Sequence, residues 1–154
     1  MIQLKEGQKA PDFKCNNQDG KLIALKDFKG KKVILYFYPK DNTPGCTAES
    51  CNLRDNYNEI RKKGYEIVGV SCDSEKSHLK FIQKFNLPFT LLADTDKKIV
   101  QAYGVWNPKS FLGRTFLGIH RTTFIISENG IIEKIIRKVE TKTHSNQVLA
   151  SNLV

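Results

Sequence analysis

The chain reads as one α/β domain over residues 1–154: a mixed β-sheet flanked by helices, with a β-hairpin at its N-terminal end. Three observations predict it. The stretch 32–38 (KVILYFY) is an unbroken apolar run of β-formers, as a strand buried on both faces requires. After it, strand-like runs and helix-period segments alternate up to about residue 103, which is the pattern of parallel strands joined by crossover helices. At 154 residues and 40% hydrophobic content, the chain is long enough to build a core without disulfide or metal staples.

The first thirty residues pattern as a short β-hairpin with Asp19-Gly20 at its turn. Pro39 ends the strand at 32–38, and residues 41–45 (DNTPG) are turn chemistry. An amphipathic helix follows from about residue 44 to 63, with Leu53, Tyr57 and Ile60 on one face and Gly64 as its stop. Residues 65–71 form a second buried strand. Ser74 or Ser77 caps a helix that runs to about Phe85, Pro88 marks its exit, and 89–93 is a short strand. Asp94 and Asp96 open a helix over 97–103. A loop through Trp106, Asn107-Pro108 and Gly113 leads to a hairpin of 120–126 and 131–138 around residues 128–130, and 144–153 is a terminal helix. On these helices His78 and His144 read as surface residues.

Charge and cysteine content narrow the function classes. Twenty-five Lys and Arg against sixteen Asp and Glu give a net charge of +9, yet the cations are dispersed in short clusters at element boundaries. A nucleic-acid binder gathers them on one face, so a basic binding module is the outsider among the readings. No apolar run reaches the roughly 18 residues of a membrane span, and residues 1–7 lack the apolar segment of a secretory signal, so the expectation is a cytoplasmic protein. In that compartment Cys15, Cys46, Cys51 and Cys72 are reduced. With no Cys-x-x-Cys pair and three scattered histidines, no metal site is expected.

The informative segment is residues 38–51 (YPKDNTPGCTAESC). A buried strand stops, a Pro/Gly loop follows, and Cys46 falls in the first turn of a helix. With Thr43 at the N-cap and Pro44 at the first helical position, unpaired N–H groups and the positive end of the helix dipole favour thiolate at Cys46. The C-terminal edge of a central strand is also where α/β proteins place their sites.

The string Pro39-x-x-x-Thr43-x-x-Cys46 resembles the active-site signature of the peroxiredoxins, and Thr43 to Cys51 resembles the bacterioferritin comigratory protein, or peroxiredoxin Q, branch. Further likenesses lie at Ala10-Pro11-Asp12-Phe13, Leu87-Pro88-Phe89, residues 102–106 (AYGVW) and Arg121-Thr122-Thr123-Phe124, so the resemblance covers nearly the whole chain. It implies a thioredoxin-like fold, a peroxidatic cysteine at Cys46, a resolving cysteine at Cys51 and a shell of Pro39, Thr43 and Arg121, with Gly45 and Glu49 in support. It implies a thiol peroxidase acting on hydrogen peroxide and organic hydroperoxides, recycled by thioredoxin or a similar dithiol, commonly monomeric and without a cofactor. In this pattern Arg121 stabilises the thiolate and the departing oxygen, and Pro39 shields the site from water. Thr43 is either the N-cap acceptor or a donor to thiolate or peroxide. Glu49 either orients Arg121 or is a solvated helix carboxylate. A thioredoxin-like disulfide oxidoreductase is the rival enzyme, disfavoured by the missing Cys-x-x-Cys.

Two magnitudes shape that reading. For any cysteine, a fall in pKa from about 8.5 to about 6 raises the thiolate fraction at pH 7 roughly 30-fold. The less basic thiolate is then slower by about 13-fold at a Brønsted slope of about 0.45, so thiol activation alone yields only about a two-fold gain. Positioning and leaving-oxygen stabilisation must supply the rest. Five helical residues also separate Cα atoms by about 8.6 Å, beyond the roughly 7 Å limit of a disulfide, so Cys46 and Cys51 pair only if the helix unwinds. Cys15 and Cys72 read as structural thiols, and Trp106 with Phe116 as an apolar wall near the site.

Overall fold

A computed structural model describes residues 3–150. β1 (Lys14–Asn16) and β2 (Leu22–Ala24) form the N-terminal hairpin. Asn17 organises its turn: the side-chain oxygen accepts the N–H groups of Asp19 and Lys21, and Gly20 takes φ +74°. After a 3₁₀ turn at Leu25–Phe28 come β3 (Lys32–Phe37), α1 (Pro44–Asp55), α2 (Tyr57–Lys62), β4 (Tyr65–Ser71), α3 (Glu75–Phe85) and β5 (Thr90–Ala93). Then follow α4 (Lys98–Ala102), β6 (Trp106–Phe111), β7 (Arg114–Ile119), β8 (Thr122–Ile126), β9 (Ile132–Ile136) and α5 (His144–Ala150).

The main sheet has the order β5-β4-β3-β8-β9, with β3, β4 and β5 parallel and β8 antiparallel to both of its neighbours. It is the mixed sheet flanked by helices that the sequence predicts. β3 lies at its centre and alternates between two cores. Leu35 and Phe37 join Val68, Val70, Val100, Tyr103 and Phe124 on one face. Ile34, Tyr36 and Tyr38 join Leu53 of α1, Ile60 of α2, Phe81 of α3 and Val148 of α5 on the other. Cover on both faces is why β3 carries no polar alternation.

Three elements differ from the sequence reading. The helix expected over 44–63 breaks at Asn56, whose side chain donates to the Asn52 carbonyl at 2.9 Å and whose backbone leaves the helical region. Asn competes for backbone partners in this way, and two shorter helices result. The loop expected after residue 104 contains a regular hairpin, β6 and β7, closed by Leu112-Gly113 at φ 51° and 78°. Pro108 and the absence of alternation hide it in sequence. The terminal helix is described to Ala150, and the expected residues 151–153 lie outside the described residues.

Gly69 marks the tightest point of the sheet. A Cβ there would lie 2.6 Å from Leu91 Cδ2 and 2.9 Å from the Tyr36 ring, and the aromatic ring has no room to yield. Gly69→Ala is therefore expected to destabilise the fold by about 1–3 kcal/mol, read as a lower urea midpoint at unchanged slope.

Candidate active site

Tyr38 prolongs β3 by one bond, its N–H donating to the Val70 carbonyl, and half-buried Pro39 then turns the chain out of the sheet. The Thr43 hydroxyl closes the loop by donating to the Lys40 carbonyl at 2.8 Å. Thr43 thus occupies the N-cap position by its extended backbone, without a side-chain cap bond. Pro44 is the first helical residue and Cys46 the third, 1% exposed. Its place in the first turn leaves its N–H among those with no intrahelical acceptor.

The antiparallel register pairs Phe37 with Thr122, so Arg121, one residue before β8, stands beside the chain leaving β3. From there its guanidinium reaches Cys46, with Nη2 3.3 Å from Sγ. Its other branch, Nη1, donates to Glu49 Oε1 at 2.7 Å. Gly45 makes room for this: a Cβ would lie 3.1 Å from Nη2. Burial works against the charge on Arg121, while Glu49 and Cys46 outweigh burial and hold its pKa above the ordinary value. Glu49, one turn along α1 from Cys46, is 0% exposed, and burial pushes its carboxyl up to about 7 against the pull of Arg121. Its second oxygen, Oε2, has no hydrogen-bond partner among the described residues, and His144 Nε2 lies 3.4 Å from it.

The structure therefore gathers Cys46, Arg121, Glu49 and Gly45, with Pro39 and Thr43 in the loop beside them. Cys51 lies half-buried on the same helix, its thiol nudged up by burial. Cys15 and Cys72 pack against the other core, and burial pushes their thiols to about 12 and about 11. All four cysteines are free. Phe116 is 49% exposed on β7, and Trp106 packs partly buried against the core that contains Phe37.

Two histidines expected on helix surfaces are fully buried instead. His78 Nε2 meets the Leu92 carbonyl at 2.8 Å and Nδ1 meets Asp41 Oδ2 at 2.7 Å. Asp41 also accepts from Tyr38 and Ser77, and its N–H donates to Asp73, which accepts from Ser71 as well. Asp41, Asp73 and His78 offer ligand atoms within 4.8 Å of one another, the one group among the described residues with metal-like spacing. Those atoms are taken up by hydrogen bonds, and the cluster works as a knot that ties the 39–43 loop to α3 and β4. His144 is likewise wired inward, to Thr123 and Gln147. Neither histidine carries a local sequence signal, because every partner but Gln147 is remote in the chain.

Residues 6–135 match the AhpC/TSA family. The chain is 47% identical over 148 residues to a putative peroxiredoxin Bcp of Coxiella burnetii, covering 96% of this chain and 98% of that one. It is 46% identical over 148 residues to peroxiredoxin Bcp of Bacillus subtilis, covering 96% and 94%. Among solved structures, a cysteine-to-serine mutant of Xylella fastidiosa PrxQ superposes with a TM-score of 0.92 at 28% identity, covering 99% and 97%. Xanthomonas campestris bacterioferritin comigratory protein, described for its alkyl peroxide reduction, gives 0.88 at 35% identity with 96% of each chain covered.

The raised Glu49 carboxyl has a direct consequence for stability. Between its ordinary 4.5 and about 7 the folded state binds the proton that the unfolded state has lost, so stability falls as pH rises through that window. Glu49→Gln is expected to flatten this part of the stability–pH curve, measured by urea denaturation at intervals from pH 4.5 to 7.5.

Proposed function

The chain belongs to the AhpC/TSA family and is a thiol peroxidase of the peroxiredoxin kind, and from that premise we propose how its own residues run the reaction. Cys46 is the nucleophile. Its thiolate attacks one peroxide oxygen, the S–O bond forms as the O–O bond breaks, and the leaving oxygen departs as water or alcohol after taking up a proton. The observation that carries this is the 3.3 Å contact between Arg121 Nη2 and Cys46 Sγ, on a guanidinium whose other branch is fixed by buried Glu49. A cation held in that orientation serves the thiolate first and the departing oxygen next, without reorganising. Pro39 limits water beside the site. Thr43 joins in when its hydroxyl turns from the Lys40 carbonyl towards the peroxide.

Cys51 resolves the sulfenic acid: its sulfur attacks Cys46 Sγ, water leaves, and a Cys46–Cys51 disulfide forms. Both cysteines lie inside α1, so the step requires α1 to unwind locally. The strained bridge suits a dithiol reductant of the thioredoxin class, which returns two electrons and two protons. Substrates of this reading are hydrogen peroxide and organic hydroperoxides, and the protein acts as a cytoplasmic monomer without nucleic-acid or membrane partners. Dispersed cations argue against a nucleic-acid partner, and among the described residues no helix is long and apolar enough to cross a membrane. The scheme uses thiols alone and calls on no cofactor.

Cys46→Ser is expected to abolish peroxide consumption in a coupled thioredoxin assay. Cys51→Ser should instead consume one equivalent of peroxide and stop as a dimedone-reactive sulfenic acid; normal turnover by that variant would refute the resolving role. Wild-type protein given one equivalent of peroxide should lose two hydrogens by mass spectrometry, mapped to the peptides of Cys46 and Cys51. Arg121→Met should lower kcat/KM by about 10²–10³-fold, as loss of one oriented donor at a developing oxyanion does.

A further inference from the structure

Charge in the buried cluster does not balance on the residues of the motif alone. Cys46, Glu49 and His144 are 1%, 0% and 0% exposed. A thiolate and a carboxylate there set two negative charges against the single guanidinium of Arg121, and an uncompensated buried charge is costly. Among the described residues, Glu49 Oε2 has no hydrogen-bond partner, and His144 Nε2 lies 3.4 Å from it.

The hydrogen bonds around His144 determine which ring nitrogen is available. Gln147 Nε2 donates to the Lys138 carbonyl at 2.9 Å, and its Oε1 accepts the Glu140 N–H at 2.9 Å. The amide orientation is thereby set, so His144 Nδ1, 2.8 Å from that Oε1, carries a hydrogen. Nε2 is then the lone-pair atom of the neutral ring. It takes the Thr123 hydroxyl at 2.8 Å and faces Glu49 Oε2.

We propose that Glu49 and His144 form a proton-holding pair that takes up one proton as Cys46 ionises and gives it up as the thiolate is consumed, which makes His144 a positioning residue of the reaction. This rests on the reading of Cys46 as the nucleophile. The proton sits between Oε2 and Nε2, on one or the other, and restores neutrality to the cluster. Thiolate, peroxide and the pair's proton become sulfenic acid, alcohol or water, and the unprotonated pair, so atoms and charge balance. The other charged or titratable groups facing the pair are Arg121, from the chain before β8, and Tyr36, from β3. Burial holds the Tyr36 phenol well above its ordinary range, so the phenol keeps its own hydrogen and takes up no second one. Burial lowers His144 and raises Glu49, which leaves the proton between Oε2 and Nε2.

The test reads Cys46 directly, apart from turnover. In His144→Gln the pair is broken and Glu49 Oε2 loses its titratable neighbour, so the rate of Cys46 alkylation by iodoacetamide at pH 7 should fall about tenfold, its pH profile moving upward. Glu49→Gln removes the second negative charge, so His144→Gln added to it should change alkylation no further. An unchanged profile in folded His144→Gln, or an equal effect in both backgrounds, overturns the proposal, even if its melting temperature falls. A second measurement needs no change at the pair. The chain has three histidines, so the His144 ring is resolvable by ¹⁵N NMR. Its titration midpoint should lie about one pH unit higher in the wild type than in Cys46→Ser; equal midpoints overturn the pair. Loss of peroxidase activity in Cys46→Ser stands or falls separately, so the two failures are distinguishable.

Discussion

The Arg121 guanidinium is the constraint on which the site depends. It must touch Cys46 Sγ with one branch and Glu49 Oε1 with the other, 3.3 Å and 2.7 Å away. Each demand explains a distant part of the fold. β8 must run antiparallel beside β3 so that residue 121 arrives where β3 releases the chain. A glycine at position 45 leaves the guanidinium undisturbed, because a Cβ there would lie 3.1 Å from Nη2 and push it aside by a few tenths of an ångström. Glu49 must be one turn along α1 from Cys46 and sealed from water, which its burial accomplishes at the cost of a carboxyl pushed up to about 7. Lys at 121 would supply charge but not two divergent planar donors, so the pairing with both groups is a property of the fork and not of the charge alone.

The same contacts bear on how firmly α1 is held. Glu49 ties it to Arg121, and Asn52 Oδ1 accepts the Ser145 N–H of α5 at 2.7 Å. Leu53 anchors its far end in the core beside Val148. On the proposed resolving scheme these bonds must loosen once Cys46 is oxidised. Oxidation to a neutral sulfenic acid removes the anion that Arg121 serves, and the Glu49–Arg121 pair loses one of its reasons to stay closed. On that scheme the chemistry weakens the hold on α1 at the moment Cys51 needs to move.

What the sequence made legible was local. β3 could be read because burial on both faces writes an unbroken apolar run, and the Cys46 turn because Thr43, Pro44 and Gly45 spell a helix start within four residues. Arg121 was reachable only through family resemblance, since no pattern near residue 46 refers to it. The helix break at Asn56, the β6–β7 hairpin and the inward-facing His78 and His144 were not legible. The two histidines are decided by partners far along the chain, Leu92 and Asp41 for His78, Glu49 and Thr123 for His144, whereas the break and the hairpin rest on local bonds that no apolar pattern marks. A histidine on a helix carries no mark of which neighbour will close over it.

The two misread histidines divide the work around α1. His78 locks Asp41, and with Tyr38, Ser77 and Asp73 it fixes the 39–43 loop from the side of α3 and β4. Among the described residues none of that knot's hydrogen bonds involves Cys46, so a change of state at the cysteine breaks none of them. His144, at the start of α5, has as its neighbour Glu49 of α1, which belongs to the cluster proposed to change charge. On the proposed scheme, an entry loop held constant and a helix held through a charge-dependent contact are two of the conditions under which oxidation can release α1 while Pro39 and Thr43 remain in place. The break at Asn56 supplies a third, because it ends α1 at Asp55 and keeps any unwinding from passing into α2 and its core residue Ile60.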